Sequence, residues 1–206
     1  FAFPRYDAGA TRITMLAKAL CDRGYEVELC GMGDDVDFDG IVCHTLNPYR
    51  SNRIFNSIAW RLVGVTTVAY AKSIIDDADV IVASFLPSNA VDKIKKLCRD
   101  AGVIFAVDCT EWFIHHMKLL TETIDSEVRV IAISRYLEHF FISKGCSVLR
   151  VPSVLDHEEL APDRSSTPQS SVISVMYAGS PAVKDSLGVV LDSICLLDHD
   201  VLEKMS

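Results

Sequence analysis

The sequence predicts an α/β fold in which helices cover both faces of a largely parallel sheet, and three observations carry that prediction. Short runs rich in Val and Ile alternate with longer stretches of helical periodicity, the pattern of successive βα units. Half of the 206 residues are apolar and 23% are charged, enough apolar material for a sizeable core and the wrong balance for disorder. A late strand, loop and helix near the end of the chain echoes the opening one.

Taken in order, strands are predicted at Glu26–Cys30, Ile41–Thr45, Val80–Ser84, Val103–Val107, Val128–Ile133 and Ser147–Val151. Helices are predicted between them at Thr11–Arg23, Asn52–Asp76, Ser88–Asp100, Glu111–Thr123 and Arg135–Lys144. In the first helix Ile13, Leu16, Ala17 and Leu20 form one apolar face, and Gly24 follows as a natural C′ residue. Only Phe1-Ala2-Phe3 precedes the loop Pro4–Gly9, whereas the first strand of a doubly wound sheet is central and needs pairing on both sides. Either the strand is reduced to those three residues or it begins ahead of Phe1, and the second is the expectation.

From Pro152 to Ser171 the chain turns to Pro, Ser, Asp, Glu and Thr, the composition of a linker or exposed loop. The predicted organisation is therefore a first domain over 1–151, a linker over 152–171 and the first βα unit of a second, truncated domain over 172–206. In that last piece Val172–Ala178 reads as a strand, Gly179–Lys184 as a loop and Asp185–Leu197 as a helix. One strand and one helix cannot enclose a core by themselves.

A net charge of −8 argues against binding nucleic acid through the whole surface, because neutralising phosphates takes clustered Lys and Arg. An anionic ligand must then meet a local basic site. The seven cysteines are scattered, odd in number and free of any Cys-x-x-Cys pair, which predicts reduced, buried thiols in a cytoplasmic protein. No run reaches the roughly 20 apolar residues of a membrane span. Phe1–Pro4 lacks the basic and apolar regions of a secretory signal, and none is expected there.

Several local patterns can carry chemistry. Gly9-Ala10-Thr11-Arg12 leads into a helix, placing free backbone N–H groups and a cation at a helix N-terminus, where a phosphate or an acceptor would be favoured; the plainer alternative is a turn. Asp108-Cys109-Thr110-Glu111 follows a strongly apolar strand, so Asp108 and Glu111 emerge at the carboxyl edge of the sheet, where ligands of α/β proteins bind. Either carboxylate would suit orienting an acceptor hydroxyl or accepting its proton; helix capping and an acidic first turn are the ordinary reading. Ser134 reaches the same edge, with capping of the next helix as its simplest role. His115 and His116 are neighbours whose side chains diverge by about 100° on a helix, so no metal site is assigned. The segment Gly40–Ile75 holds Arg50, Arg53, Arg61 and Lys72 and no acidic residue, with Tyr49, Phe55 and Trp60 interleaved. Residues 49–72 would suit peripheral contact with an anionic membrane face; an ordinary packed helix with solvated basic positions is the alternative. Gly31-Met32-Gly33 follows the wrong strand for a dinucleotide motif and opens an acidic loop.

Three phrases resemble group 1, or family 4, glycosyltransferases of the GT-B fold. The first runs from the Gly9 loop through Leu16-Ala17-Lys18-Ala19-Leu20 to Arg23-Gly24-Tyr25-Glu26-Val27; Tyr25 stands where a His is usual, and Ala10 where Gly is frequent. The second is Val130-Ile131-Ala132-Ile133-Ser134, then a helix, Lys144-Gly145, a strand and Val151-Pro152-Ser153-Val154-Leu155-Asp156, similar to a domain-closing passage whose commoner ending is Val-Pro-Asn-Gly-Val-Asp. The third, Met176-Tyr177-Ala178-Gly179-Ser180-Pro181-Ala182-Val183-Lys184-Asp185, resembles the loop that receives the donor phosphates, with Ser180 in the place of a usual Arg.

The resemblance implies a Rossmann-like doubly wound parallel sheet, the amino-terminal GT-B domain, followed by a truncated second Rossmann-like domain. It implies a cytoplasmic enzyme, in places peripheral to the inner membrane face, that moves a sugar from a nucleotide-sugar donor to a glycan or lipid-linked acceptor. The nucleotide sugar is a co-substrate, and no separate cofactor is implied. Gly179 and Lys184 would meet the donor diphosphate, Gly9, Ala10 and Arg12 the acceptor or a phosphate, and Asp108 and Glu111 the reacting hydroxyl. The fragment alone is expected to be inactive, since the carboxylates that contact the donor sugar lie farther along the second domain. Two alternatives remain: a sugar-nucleotide 2-epimerase, which shares the architecture but acts on the donor itself and requires additional acid/base residues in the cleft, and a noncatalytic binding or assembly module.

Overall fold

A computed structural model describes residues 2–3, 8–33, 37–38, 40–47, 53–110, 124–154, 176–177 and 186–198. The chain forms two compact units, Phe1–Leu160 and Ala161–Ser206. In the first unit the elements run β1 (Ala2–Phe3), α1 (Ala8–Cys21), β2 (Glu28–Gly33), β3 (Asp37–Phe38), β4 (Ile41–Asn47), α2 (Arg53–Ile74), β5 (Val80–Ser84), α3 (Ser88–Ala101), β6 (Ile104–Cys109), β7 (Arg129–Ala132), α4 (Arg135–Ser143) and β8 (Ser147–Arg150). The described part of the second unit holds one helix, α5 (Leu187–Cys195).

The strands make two four-stranded sheets, ordered β1-β2-β4-β3 and β5-β6-β7-β8. Every pairing is parallel except that of β3 with β4. Each half winds outward from its first strand, and α2 is the long crossover from one half to the other. That is a Rossmann-like doubly wound topology, with helices flanking parallel sheets.

Local chemistry explains the elements. In α3 the buried residues Ala90, Val91, Ile94 and Cys98 recur at helical spacing. The helix stops at Gly102, which takes φ +76°, while Val103 N–H donates to Cys98 O at 2.8 Å. Leu137 and Phe141 of α4 join that face against Val107, Val130 and Ala132, forming the larger core. A smaller core sets Ala17 of α1 against Leu29, Ile41 and Cys43, with Ile13 and Cys21 packed beside them.

Four details depart from the sequence-based expectation. The first helix begins at Ala8, three residues early, so Gly9 and Ala10 belong to its first turn and not to a preceding loop. Leu20, placed by periodicity on the apolar face, is 45% exposed, because the face in contact with the sheet is Ile13, Ala17 and Cys21. The antiparallel hairpin of β3 and β4 was not foreseen: its strand is two residues long, and Gly40 at φ +78° precedes the return. Finally, β6 continues two residues past Val107, so Asp108 lies within the strand, paired in register with Ser84 and Ile131.

The predicted helix over Glu111–Thr123 lies outside the described residues. Of the predicted linker only 152–154 are described, and of the predicted strand Val172–Ala178 only Met176 and Tyr177, neither of them in a strand.

Candidate functional site at the carboxyl edge of the second sheet

Ser84, Asp108 and Ser134 sit at the ends of β5, β6 and β7, where a parallel sheet offers its carboxyl edge. Ser134 has extended backbone, and its hydroxyl accepts from Leu137 N–H at 3.3 Å, capping α4. Among the described residues the buried Ser84 Oγ has no hydrogen-bond partner. The next residue, Phe85, holds φ at +55°, a left-handed conformation that costs a non-glycine residue about 1 kcal/mol or more.

The charged centre of this edge is an ion pair. Arg12, in the second turn of α1, is 4% exposed and Asp108 is 2% exposed. Arg12 Nη2 donates to Asp108 Oδ1 at 2.9 Å, while Nε lies 3.2 Å from Oδ2 and 3.3 Å from Oδ1. This is the bidentate geometry that a guanidinium fork makes with a carboxylate. The other edge of the fork turns to the chain beyond β8: Nη1 donates to Pro152 O at 2.8 Å and Nη2 to Val151 O at 3.0 Å.

Burial of both charges is tolerated because each neutralises the other and the remaining donors meet carbonyls. Removing one partner of such a pair costs about 3–5 kcal/mol. The two side chains expected to serve separately, Arg12 toward an anion and Asp108 toward an acceptor, are brought together and bonded to each other.

Glu111, Gly179 and Lys184 lie outside the described residues. Gly9 and Ala10 are in the first turn of α1. Ala10 is fully buried, Gly9 half-buried.

Burial pushes the thiols of both Cys30 and Cys109 up to about 12; at Cys109 the carboxylate of Asp108 adds to the effect. Cys98 and Cys146 are raised by burial as well. Among the described residues no group of three or more His, Cys, Asp or Glu is placed to hold a metal ion. Among them, too, no helix is long and apolar enough to cross a membrane.

The orphan hydroxyl of Ser84 and the strained Phe85 have no sequence signature, because Ser-Phe-Leu-Pro after a strand reads as an ordinary turn. The Arg12–Asp108 pair leaves no trace either: Arg12 lies among the buried positions Ala10, Thr14, Met15 and Ala17 of α1, which is not the face Ile13, Leu16, Ala17 and Leu20 that periodicity marks. A charge on that stripe needs a buried partner.

The fold and this edge define a class: a doubly wound, Rossmann-like α/β protein, an architecture consistent with nucleotide binding in general. Comparison with protein-family models, with curated proteins and with solved structures gave no match.

Proposed function

We propose that the intact protein transfers a sugar from a nucleotide-sugar donor to a glycan or lipid-linked acceptor, with the first unit on the acceptor side. One observation carries the reading. The helix whose sequence resembles the opening of group 1 glycosyltransferases, α1, brings Arg12 to the end of β6 at the carboxyl edge of a doubly wound sheet. The resemblance of the passages after Val130 and after Met176 to that family supports the same assignment.

In this reaction the bond between the anomeric carbon and the donor phosphate oxygen breaks, a bond to the acceptor oxygen forms, and the acceptor proton passes to a carboxylate. Lys184 stabilises the departing diphosphate, and Gly179 lets the backbone approach it. Gly9 and Ala10 stand in the first turn of α1, the place the resemblance assigns to an acceptor or phosphate group. Asp108 contributes through Arg12, since its side chain has no exposed surface. Glu111 is the carboxylate assigned to the acceptor hydroxyl.

Incubating the full-length protein with a panel of sugar nucleotides, with and without lipid-linked acceptors, tests the proposal. Acceptor-dependent release of the nucleoside diphosphate is the expected outcome. Acceptor-independent isomerisation of the donor would assign a 2-epimerase instead. A noncatalytic binding module is the second reading, and a specific observation favours it: Arg12 and Asp108 spend their charges on each other, and Ser180 stands where the family usually has Arg. Failure to bind any nucleotide sugar would rule out both enzymes.

A further inference from the structure

We propose that Arg12 is a latch that makes the start of α1 and the chain's exit from the last strand open and close together. Unlike the glycosyltransfer assignment, this coupling requires no ligand.

The backbone bonding of β8 shows why a latch is needed at that point. Its ladder with β7 ends at Arg150, paired with Ala132. Val151 N–H still donates to Ala132 O at 2.9 Å, and among the described residues that is the last backbone bond the second sheet makes to the exit. Pro152 has no N–H and cannot extend the ladder. The carbonyls of Val151 and Pro152 instead accept from Arg12, at 3.0 and 2.8 Å. A side chain from the second turn of α1 thus takes over where the sheet's own bonding runs out.

Asp108 supplies the reason the guanidinium stays there. Its carboxylate holds the Nε and Nη2 edge from the floor of β6, which orients the opposite edge toward the two carbonyls. Release of the exit strips Arg12 of two acceptors, and release of α1 strips Asp108 of its counter-charge inside the protein. Neither opening is stable alone. A ligand that stabilises the start of α1 therefore also fixes the course of residues 151 and 152, and one that loosens it frees them.

Native-state hydrogen exchange on the full-length protein tests this in two ways. In the wild type, amides in the second turn of α1 and the amide of Val151 should open with the same free energy and the same denaturant dependence. In Arg12→Lys, which keeps the charge but loses the fork, protection should fall at both places together by roughly tenfold or more, the scale of losing one or two charge-assisted hydrogen bonds. Peptides covering α3 should keep their protection. Independent opening of the two segments in the wild type overturns the latch. So does a loss in Arg12→Lys that is confined to α1, or one that spreads evenly through α3. Should Arg12→Lys fail to fold, the wild-type comparison decides the question alone.

Discussion

The Tyr70 hydroxyl donates to Glu28 Oε2 at 2.8 Å, tying the last turns of α2 to the first residue of β2. His44 of β4 joins them, its ring 5.3 Å from that of Tyr70 and its Nε2 3.5 Å from the same Glu28 oxygen. The crossover helix is thereby fastened to the first sheet by polar contacts on a face where Glu28 and Val42 are exposed.

Burial and the bond to Glu28 raise the Tyr70 pKa above its ordinary value. A group raised in the folded state contributes stability that is complete below its unfolded pKa and disappears as pH climbs through the folded one. The buried thiols Cys30 and Cys109 act in the same direction, starting from a lower unfolded value. Stability should therefore decline from about pH 8.5 upward, with the tyrosine contribution entering above about pH 10. Tyr70→Phe should cost about 0.5–1.5 kcal/mol at neutral pH and flatten only the upper part of the decline, as read from urea midpoints across the alkaline range.

Lys95 Nζ lies 2.8 Å from Asp125 Oδ2, and that hydrogen bond is the main cause of a lowered Asp125 pKa. Here the sign is opposite. The contribution is present above the unfolded carboxylate pKa, about 3.9, and is lost as pH falls through the folded value. With the Asp125 side chain 51% exposed, screening keeps the effect small. Lys95→Met should shift the denaturation midpoint by less than about 1 kcal/mol at pH 7, and the difference from wild type should shrink in molar salt and vanish in acid.

Thiol accessibility gives a direct check on the core. Cys43, Cys98, Cys109 and Cys146 are buried, Cys21 and Cys30 intermediate, and Cys195 exposed. An aromatic disulfide reagent should modify Cys195 first, and the four buried thiols only at the rate of unfolding. Mass mapping of the label after a short pulse reads this out, and rapid labelling of Cys98 or Cys109 would contradict the larger core.

For the proposed chemistry, Lys184→Ala in the full-length protein should weaken binding of a nucleoside diphosphate. Glu111→Gln should lower turnover by about 10²–10⁴-fold with little change in donor affinity, the expected range for loss of a general base. Calorimetry and steady-state rates separate the two. Unchanged affinity in Lys184→Ala would remove that residue from the site.

How much of this was legible in the sequence depends on the range of the interaction involved. The apolar run Val80–Ser84 predicts β5 with the bounds it adopts, and Ser134 predicts the start of α4, because strand period and capping are settled by near neighbours. The end of β6 is different. Val103–Val107 looks complete, and the ladder carries on through Asp108 and Cys109 because Ile131 and Ala132 pair with them and Arg12 neutralises the carboxylate. A pairing over 96 positions has no periodicity to announce it. The same holds for Ser84, whose lack of a partner among the described residues is a property of its surroundings, not of its neighbours in sequence.

The reach of Arg12 also orders the assembly of the unit. β5 and β6, β6 and β7, and β7 and β8 each pair after a single intervening segment, so their loops close at modest entropic cost. Arg12 must wait for Asp108 at 96 positions and Pro152 at 140 to be in place. Contacts spanning that much chain are expected to form after the rate-limiting state; substitutions at Arg12 should then leave the refolding rate nearly unchanged and speed unfolding instead. The guanidinium then governs how long the native state lasts, not how quickly it is reached.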